Sequence, residues 1–220
     1  MAIFVLVHGG NMSTDTWNQL SGQDINTPTG YMGAIYWDGT VEFLRNHSHI
    51  VFKPKLIDEH HGNLTDHILQ ICDMIKEEKL EDIILVGHSY GGFVITGVAD
   101  RHPELIHLLV YLDSAIPDPG QSLFDVLETT YSYGNYETAL PDPSPPYIEK
   151  LFYNPETLKK VTKVYIRCTK SEFIDLNTLV KQKIEKSGEG WIYYELPSSH
   201  VPMADMPDEF NLLMIKLTKY

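Results

Sequence analysis

The feature that most constrains this chain is the segment 87–92, which reads Gly-His-Ser-Tyr-Gly-Gly. It follows the apolar run 83–86 directly, and the stretch after it has helical character. Gly87 and Gly91 allow the backbone to pack closely at a sharp bend, where a side chain would clash. A serine at that bend, Ser89, is held at the start of a helix, where a base can reach its hydroxyl. The pattern predicts a strand, a tight turn that presents a nucleophile, and a helix; the alternative is an ordinary turn with a serine helix cap.

A nucleophilic serine needs backbone N–H groups that can bind the negative charge developing on a substrate oxygen. Tyr90 follows Ser89 at the helix N-terminus and is one predicted donor. The second predicted donor is Gly10, because the apolar run 3–7 ends in His-Gly-Gly at the same edge of the expected sheet. Glycine at this position permits close approach of the backbone to a substrate carbonyl. The alternative interpretation of the segment is a plain strand–loop turn.

Ten histidines are candidates for the base that would activate Ser89. Four precede predicted strands and so belong to the opposite edge of a parallel sheet: His47, His49, His102 and His107. His60 and His61 follow a strand early in the chain and are interpreted as loop residues. His88 is expected to point away from the serine. His200 is the predicted base, with a surface-loop histidine as the alternative, because it follows the last predicted strand and precedes the last predicted helix, where the order serine, acid, histidine requires it.

Three segments of the chain resemble the α/β-hydrolase superfamily: Val-His-Gly-Gly at 7–10, Gly-His-Ser-Tyr-Gly-Gly at 87–92 and Ser-His-Val-Pro-Met at 199–203. More narrowly, they resemble the branch that holds plant methylesterases, hydroxynitrile lyases and small bacterial carboxylesterases. The similarity runs over nearly the whole chain, and the stretches 111–118 and 165–169 add to it. The resemblance implies the same assignments as the residues themselves: Ser89 as nucleophile, His200 as base, and Gly10 and Tyr90 as oxyanion donors.

The acid that should orient His200 departs from the family pattern. Family members commonly place an aspartate a few residues past the strand that corresponds to 164–168, where this chain has Ser171. Glu172 is next to that position and needs a one-residue shift of the loop. Asp113 ends the preceding strand, and neighbouring strands lie only about 5 Å apart, so its carboxylate is also within reach. We favour Asp113 over Glu172 because a strand end fixes geometry better than a loop does.

Apolar runs alternate with amphipathic segments, which predicts a parallel sheet with helices packed on both faces. The predicted strands are 2–7, 49–53, 83–87, 108–113, 163–168 and 191–196. The predicted helices are 38–46, 64–79, 89–101 and 207–219. The larger family fold has two further strands first. The resemblance therefore implies an α/β-hydrolase fold with a trimmed, mostly parallel six-stranded sheet and a small cap, in a single domain over residues 1–220.

Two long excursions leave the sheet at the edge that carries the candidate site. The first, 11–37, contains four large aromatic residues: Trp17, Tyr31, Tyr36 and Trp37. The second, 116–160, is rich in proline, and loops this long inside a compact domain are usually functional lids. We expect it to form a small cap whose aromatic side chains close an apolar pocket: Phe124, Tyr131, Tyr133, Tyr136, Tyr147, Phe152 and Tyr153. The alternative is that these rings only pack the cap on the core.

The net charge of −13 argues against nucleic acid, membrane surfaces and strongly anionic substrates as partners. The apolar runs are too short to span a bilayer, and the chain starts with a predicted strand rather than a signal peptide. The two cysteines, Cys72 and Cys168, do not suggest a disulfide framework and fit a reducing cytoplasm. The sequence leaves the oligomeric state open, a dimer included.

The leading hypothesis is a serine hydrolase of the carboxylesterase type that needs no cofactor or metal and cleaves small neutral esters. The second is a lyase that cleaves cyanohydrins. In that branch a lysine typically follows the catalytic histidine and a threonine follows the first-loop histidine, whereas this chain has Val201 and Gly9. The third is a ligand-binding receptor derived from a hydrolase. A metal-dependent hydrolase is disfavoured, because the adjacent residues of Glu59-His60-His61 seldom face one ion.

Overall fold

The computed structural model of the protein describes residues 1–10, 12–131, 143–188 and 190–220. The strands in these ranges are β1 (Ile3–Val7), β2 (Ile50–Phe52), β3 (Ile83–His88), β4 (Ile106–Leu112), β5 (Thr162–Cys168) and β6 (Trp191–Leu196). They form one sheet in the order β2-β1-β3-β4-β5-β6, and every neighbouring pair is parallel.

Helices connect the strands along the described part of the chain. They are α1 (Thr14–Ser21), α2 (Asp38–Asn46), α3 (Leu64–Glu77), α4 (Gly91–Arg101), α5 (Leu123–Tyr131), α6 (Pro145–Ile148), α7 (Pro155–Leu158), α8 (Ile174–Ser187), α9 (Pro202–Asp205) and α10 (Pro207–Leu217). Two short 3-10 turns lie at Gly33–Trp37 and Pro103–Leu105. In the described ranges, none of the helices combines the length and apolar character needed to cross a membrane.

Helices cover both faces of the sheet, because alternate strand residues point to opposite sides. Leu85 and Tyr111 belong to a buried cluster that includes side chains of α3, α4 and α8. Ile84 and Val110 belong to a second cluster, which includes side chains of α2 and α10. A sheet buried on both faces requires strands that are apolar throughout, which is why the run 83–86 has no polar alternation.

The predicted architecture is confirmed: the sheet is parallel, has six strands in the predicted places and carries helices on both faces. Three helix boundaries differ from the prediction. The helix predicted from Ser89 begins at Gly91, because Ser89 itself forms the turn. The helix predicted to reach Lys79 ends at Glu77, and the last helix ends at Leu217.

Helix α8 is absent from the sequence prediction. Its buried side chains include Leu176, Val180 and Ile184, which recur every four residues and could have revealed it. His107, expected ahead of the fourth strand, lies within β4, and its Nδ1 is 2.9 Å from Asp82 Oδ1.

The parallel register fixes the turns that follow the central strands. The first residue past each of three strands donates its N–H to a carbonyl of the neighbouring strand: Ser89 to Leu112 at 3.1 Å, Asp113 to Ile166 at 2.8 Å and Thr169 to Leu196 at 2.8 Å. Each turn is therefore bonded to the strand beside it. This places side chains that are far apart in sequence at one sheet edge with little freedom.

Candidate active site

Ser89 occupies the tight turn between β3 and α4. Its φ of +54° lies in the left-handed region that non-glycine residues rarely adopt. A Cβ at Gly87 would lie 2.5 Å from the Gly91 carbonyl oxygen, and one at Gly91 would lie 2.7 Å from the Val7 carbonyl oxygen. Only glycine fits these two positions, so close backbone packing holds the turn. Strain of this kind is typical of functional sites, and here it presents the Ser89 hydroxyl at the sheet edge.

Ser114 supports the turn from the next strand. Its buried Oγ lies 2.7 Å from the Ser89 carbonyl oxygen and 2.9 Å from the Ala115 carbonyl oxygen. A Cβ at Gly92 would lie 1.8 Å from Ser114 Oγ, so this contact requires glycine there. Gly92 therefore helps to support the turn.

The imidazole of His200 is held by a buried carboxylate. His200 is 8% exposed, and its Nδ1 lies 2.7 Å from Asp113 Oδ2. Because a carboxylate only accepts hydrogen bonds, Nδ1 donates and Nε2 remains as an acceptor. The ring of Phe173 packs edge-on against the imidazole, with ring centroids 4.6 Å apart. Of the two predicted acids, the structure brings Asp113 to the histidine; Glu172 is exposed.

Asp113 is itself anchored on its second oxygen. Oδ1 accepts a hydrogen bond from the Cys168 N–H at 2.8 Å and another from Asn177 Nδ2 at 2.7 Å. The carboxylate is 1% exposed, so each of its donors is buried with it. Asn177 lies on α8, the helix that sequence reasoning missed, and its role was therefore missed as well. Cys168 is buried, which raises the pKa of its thiol and fits a core residue rather than a nucleophile.

A buried chain of hydrogen bonds connects the loop of His200 to the loop after β1. His88 Nε2 lies 2.8 Å from the His200 carbonyl oxygen, and His88 Nδ1 lies 3.0 Å from Tyr36 Oη. The Gly9 N–H donates to the same Tyr36 oxygen at 2.5 Å. Burial lowers the pKa of His88 well below its usual value, so the ring is neutral. The proton order follows: Gly9 N–H to Tyr36 Oη, Tyr36 O–H to His88 Nδ1, and His88 Nε2–H to the His200 carbonyl.

Sequence reasoning did not find this chain of hydrogen bonds. Its members lie on the first excursion, on β3 and after β6, and no local spacing connects positions 36, 88 and 200. His88 was interpreted only as a residue that points away from the serine, whereas it is 1% exposed and supports the His200 backbone.

The loop after β1 approaches the turn of Ser89 closely. A Cβ at Gly9 would lie 2.8 Å from Ser89 Cβ, which explains why this position carries no side chain. The Gly9 N–H is used by Tyr36, and Gly10 is the next residue along the loop. Tyr90, the other predicted donor, caps the N-terminus of α4 and is fixed by its side chain, since Tyr90 Oη lies 2.9 Å from His67 Nδ1.

One cavity of about 600 Å³ collects the predicted site residues. All six line it: Gly10, Ser89, Tyr90, Asp113, Glu172 and His200. Apolar lining comes from residues that include Leu123, Leu127 and Val201. Of the Glu59-His60-His61 run, Glu59 lines the cavity, whereas His60 and His61 are exposed.

The predicted aromatic lining of the cap is only partly right. Tyr147 lines the cavity, but Phe152 is 74% exposed, and the Tyr153 hydroxyl donates to the Pro117 carbonyl. Leucines of α5 supply apolar surface instead, because their side chains point towards the sheet edge from that short helix. Tyr133, Tyr136 and the side chain of Tyr131 lie outside the described residues.

The fold and the geometry of this sheet edge are those of an α/β hydrolase. A family model described as "Alpha/beta hydrolase family" matches residues 4–152, more than half of the chain. The chain belongs to the α/β-hydrolase family.

Relatives and solved structures agree with this placement. A carbendazim-hydrolysing esterase of Nocardioides sp. (strain SG-4G) is 41% identical over 135 residues, covering 58% of this chain and 48% of the relative. Polyneuridine aldehyde esterase of Rauvolfia serpentina is 26% identical over 140 residues, covering 63% and 46%. An extracellular α/β-hydrolase from a Paenibacillus species superposes with a TM-score of 0.69 at 22% identity over 98% of each chain, which shows the shared fold. The chain spans about half the length of the curated relatives it matches.

Proposed function

We propose that this chain is a serine hydrolase that cleaves small carboxylic esters through an acyl-enzyme intermediate, without a cofactor. One observation carries the proposal. Ser89, at a strained turn, shares a cavity with His200, whose Nδ1 lies 2.7 Å from the buried Asp113 carboxylate. Two similar proteins are named as esterases, which supports the same reaction class.

In the proposed reaction, His200 Nε2 takes the hydroxyl proton as Ser89 Oγ attacks the ester carbonyl carbon. Asp113 stabilises the imidazolium that forms. The carbonyl oxygen becomes an oxyanion that accepts hydrogen bonds from the N–H groups of Gly10 and Tyr90. The imidazolium then protonates the leaving alcohol as the C–O bond breaks. Water, deprotonated by His200, attacks the acyl-enzyme, releases the acid and restores Ser89.

Turnover of p-nitrophenyl acetate by the wild type and by Ser89→Ala tests the proposal. The variant should lose activity to the background rate, and it should fail to react with a fluorophosphonate probe that labels the wild type. Ser48→Ala, at an exposed position outside the cavity, is the matched control and should be labelled like the wild type. A Ser89→Ala protein that turns over the ester at the wild-type rate would refute the assignment.

The cavity disfavours the cyanohydrin-lyase alternative. A threonine in place of Gly9 would put its Cβ 2.8 Å from Ser89 Cβ, which the observed backbone does not allow. The position after His200 is Val201, which supplies no ammonium group for a cyanide leaving group. We expect no cyanide release from mandelonitrile under conditions in which p-nitrophenyl acetate is cleaved, and carbendazim belongs in the same substrate panel because a similar protein is named for it.

We also propose that the protein works in a reducing, cytoplasmic compartment on a small-molecule partner. Both cysteines are buried and free of disulfide bonds, which supports that location. Size-exclusion chromatography with light scattering would determine whether the protein is a monomer or a dimer.

A further inference from the structure

A second carboxylate faces the cavity on the side of the cap. Glu59 lies in the loop after β2, its side chain is 16% exposed, and it lines the cavity. The Tyr147 hydroxyl donates a hydrogen bond to Glu59 Oε2. The proposed reaction gives this carboxylate no role.

Glu59 is close to the place where the oxyanion would form. A Cβ at Gly10 would lie 2.7 Å from Tyr147 Oη, and that oxygen is bonded to Glu59. This distance, the hydrogen bond and one C–C bond put Glu59 Oε2 within about 7 Å of the Gly10 Cα. A fixed negative charge at this separation opposes the negative charge that develops on the substrate carbonyl oxygen. We therefore expect Glu59 to slow the proposed reaction of an uncharged ester.

Among the described residues, the lining holds no Lys or Arg to offset this charge, and His60, whose Nε2 lies 4.0 Å from Glu59 Oε1, has a side chain that is 65% exposed and lies outside the lining. Every Lys and Arg of the chain lies in the described residues, and none of them lines the cavity. The histidines that line it are His88, which is neutral, and His200, which is bound to Asp113. Glu172 adds a further carboxylate to the lining.

Aromatic side chains line the same cavity as Glu59. Tyr90 and Tyr147 both line the cavity, and their rings meet edge to face with centroids 5.0 Å apart. Tyr31 and Tyr36 line the cavity as well. Tyrosine rings attract cations through their negative faces, and quaternary ammonium ions more than strongly hydrated ones.

We propose that Glu59 and the tyrosines that line the same cavity form a subsite for a cationic group of the substrate, such as a quaternary or protonated amine a few bonds from the scissile ester. The proposal rests on the ester-cleaving function proposed above and narrows its substrate class. The net charge argues against strongly anionic substrates, and Glu59 goes further by favouring cations over the neutral esters expected from the sequence. A bound cation cancels the charge of Glu59 at the moment the oxyanion forms.

The test compares two esters of nearly the same shape, acetylcholine and 3,3-dimethylbutyl acetate, which differ by one positive charge. The wild type should have a kcat/KM for acetylcholine roughly tenfold above that for the neutral ester, the size expected for one partly desolvated cation contact. Glu59→Gln keeps an acceptor for Tyr147 and removes only the charge. This variant should lose most of the tenfold preference, with kcat/KM falling for the cationic ester and rising for the neutral one. Misfolding would lower both values together.

Two further variants separate the subsite from its surroundings. Tyr147→Phe removes the hydrogen bond but keeps the carboxylate, so it should still prefer the cationic ester. Glu172→Gln should reduce the preference by less than about threefold, as expected for an exposed charge. Equal kcat/KM values for the two esters in the wild type, or a preference that survives Glu59→Gln, would overturn the proposal.

The outcome for the subsite is separable from that for the reaction. If p-nitrophenyl acetate is cleaved in a Ser89-dependent way but the cationic ester is not preferred, only the subsite is wrong. If no ester is cleaved, the ester-cleaving function is wrong, and calorimetric binding of choline against 3,3-dimethylbutanol still tests Glu59. Choline should then bind about tenfold more tightly to the wild type than to Glu59→Gln.

Discussion

The two sides of the cavity are built differently. On the sheet-edge side, Tyr36, His88, Asp113 and His200 are between 1% and 8% exposed, and buried hydrogen bonds connect them to the backbone at Gly9, Cys168 and His200. On the cap side, Glu59 and Tyr147 bond through the ends of side chains that come from a loop and from a four-residue helix. A helix that short has no stability of its own, so its position depends on such contacts.

Another polar anchor of the cap side involves Glu149. The Glu149 carboxylate accepts a hydrogen bond from the Thr65 N–H at 3.0 Å and another from the Thr65 hydroxyl at 2.6 Å, at the N-terminus of α3. A carboxylate is favoured there by the partial positive charge of the helix end. The sheet therefore positions the groups proposed to react, while a few partly exposed contacts set the shape of the space in front of them.

The largest effect is expected from the acid on the sheet-edge side. Asp113→Asn should lower kcat on p-nitrophenyl acetate by about 10⁴-fold, as loss of the aspartate does in a well-studied serine protease, because the amide no longer selects the required histidine tautomer. Glu172→Gln, the other predicted acid, should stay within about tenfold of the wild type, since Glu172 is exposed and Asp113 holds the histidine. If the two variants exchanged these outcomes, the sheet-edge side would not contain the acid.

The second effect concerns stability at low pH. Burial lowers the pKa of His8, just before the Gly9 loop, to about 4, whereas the unfolded chain protonates near 6.5. Between these values the unfolded state binds more protons, so the free energy of unfolding falls as the pH falls, by about 3 kcal/mol at pH 4 from this group. Urea titrations should show that His8→Gln reduces this loss, while exposed His61→Gln leaves it unchanged. Identical pH slopes for the wild type and His8→Gln would contradict the prediction.

The third effect tests the buried hydrogen bonds behind His200. His88→Leu should lower kcat by about 10²-fold with little change in KM, because a small displacement of the base is costly while the substrate surface is intact. His88→Gln carries both a donor and an acceptor and should recover part of the loss. A change in KM instead, or no recovery with glutamine, would show that His88 only fills space.

The smallest effect is expected on the cap side. Glu149→Gln weakens the two contacts to Thr65 without emptying the position, and KM should rise roughly threefold while kcat holds, the scale of one partly exposed charged hydrogen bond. The two sides of the cavity can be distinguished by which kinetic constant changes. Sheet-edge variants should change kcat, and this variant should change KM. A drop in kcat would mean that the cap also positions the reacting groups.

The residues proposed to react were easier to assign from the sequence than the residues that support them. Ser89 stands in a local motif, and His200 follows a strand at a position fixed by chain order. Both roles could therefore be assigned from the order of residues along the chain. Asp113 was favoured as a strand-end residue, and the register of β4 against β5 explains why that reasoning leads to the residue that contacts His200.

The supports depend on the folded arrangement. Tyr36 meets His88 across 52 positions, and His88 meets His200 across 112, so no periodicity records these contacts. Asn177 could have been found only if α8 had been predicted first. The cap was the least predictable region, because its proline-rich segments lack the apolar periodicity that identifies helices and strands.

The start of the insertion between β4 and β5 is held independently of what the insertion contains. Asp113 donates its N–H to the Ile166 carbonyl and accepts the Cys168 N–H on its side chain, so this clasp to the end of β5 fixes the point at which the chain leaves β4. A transplanted lid from another hydrolase, joined after this clasp and before Thr162, would meet an exit already held in place. The scaffold is thus suited to exchange of whole lids as a route to new substrates, with the sheet edge left untouched.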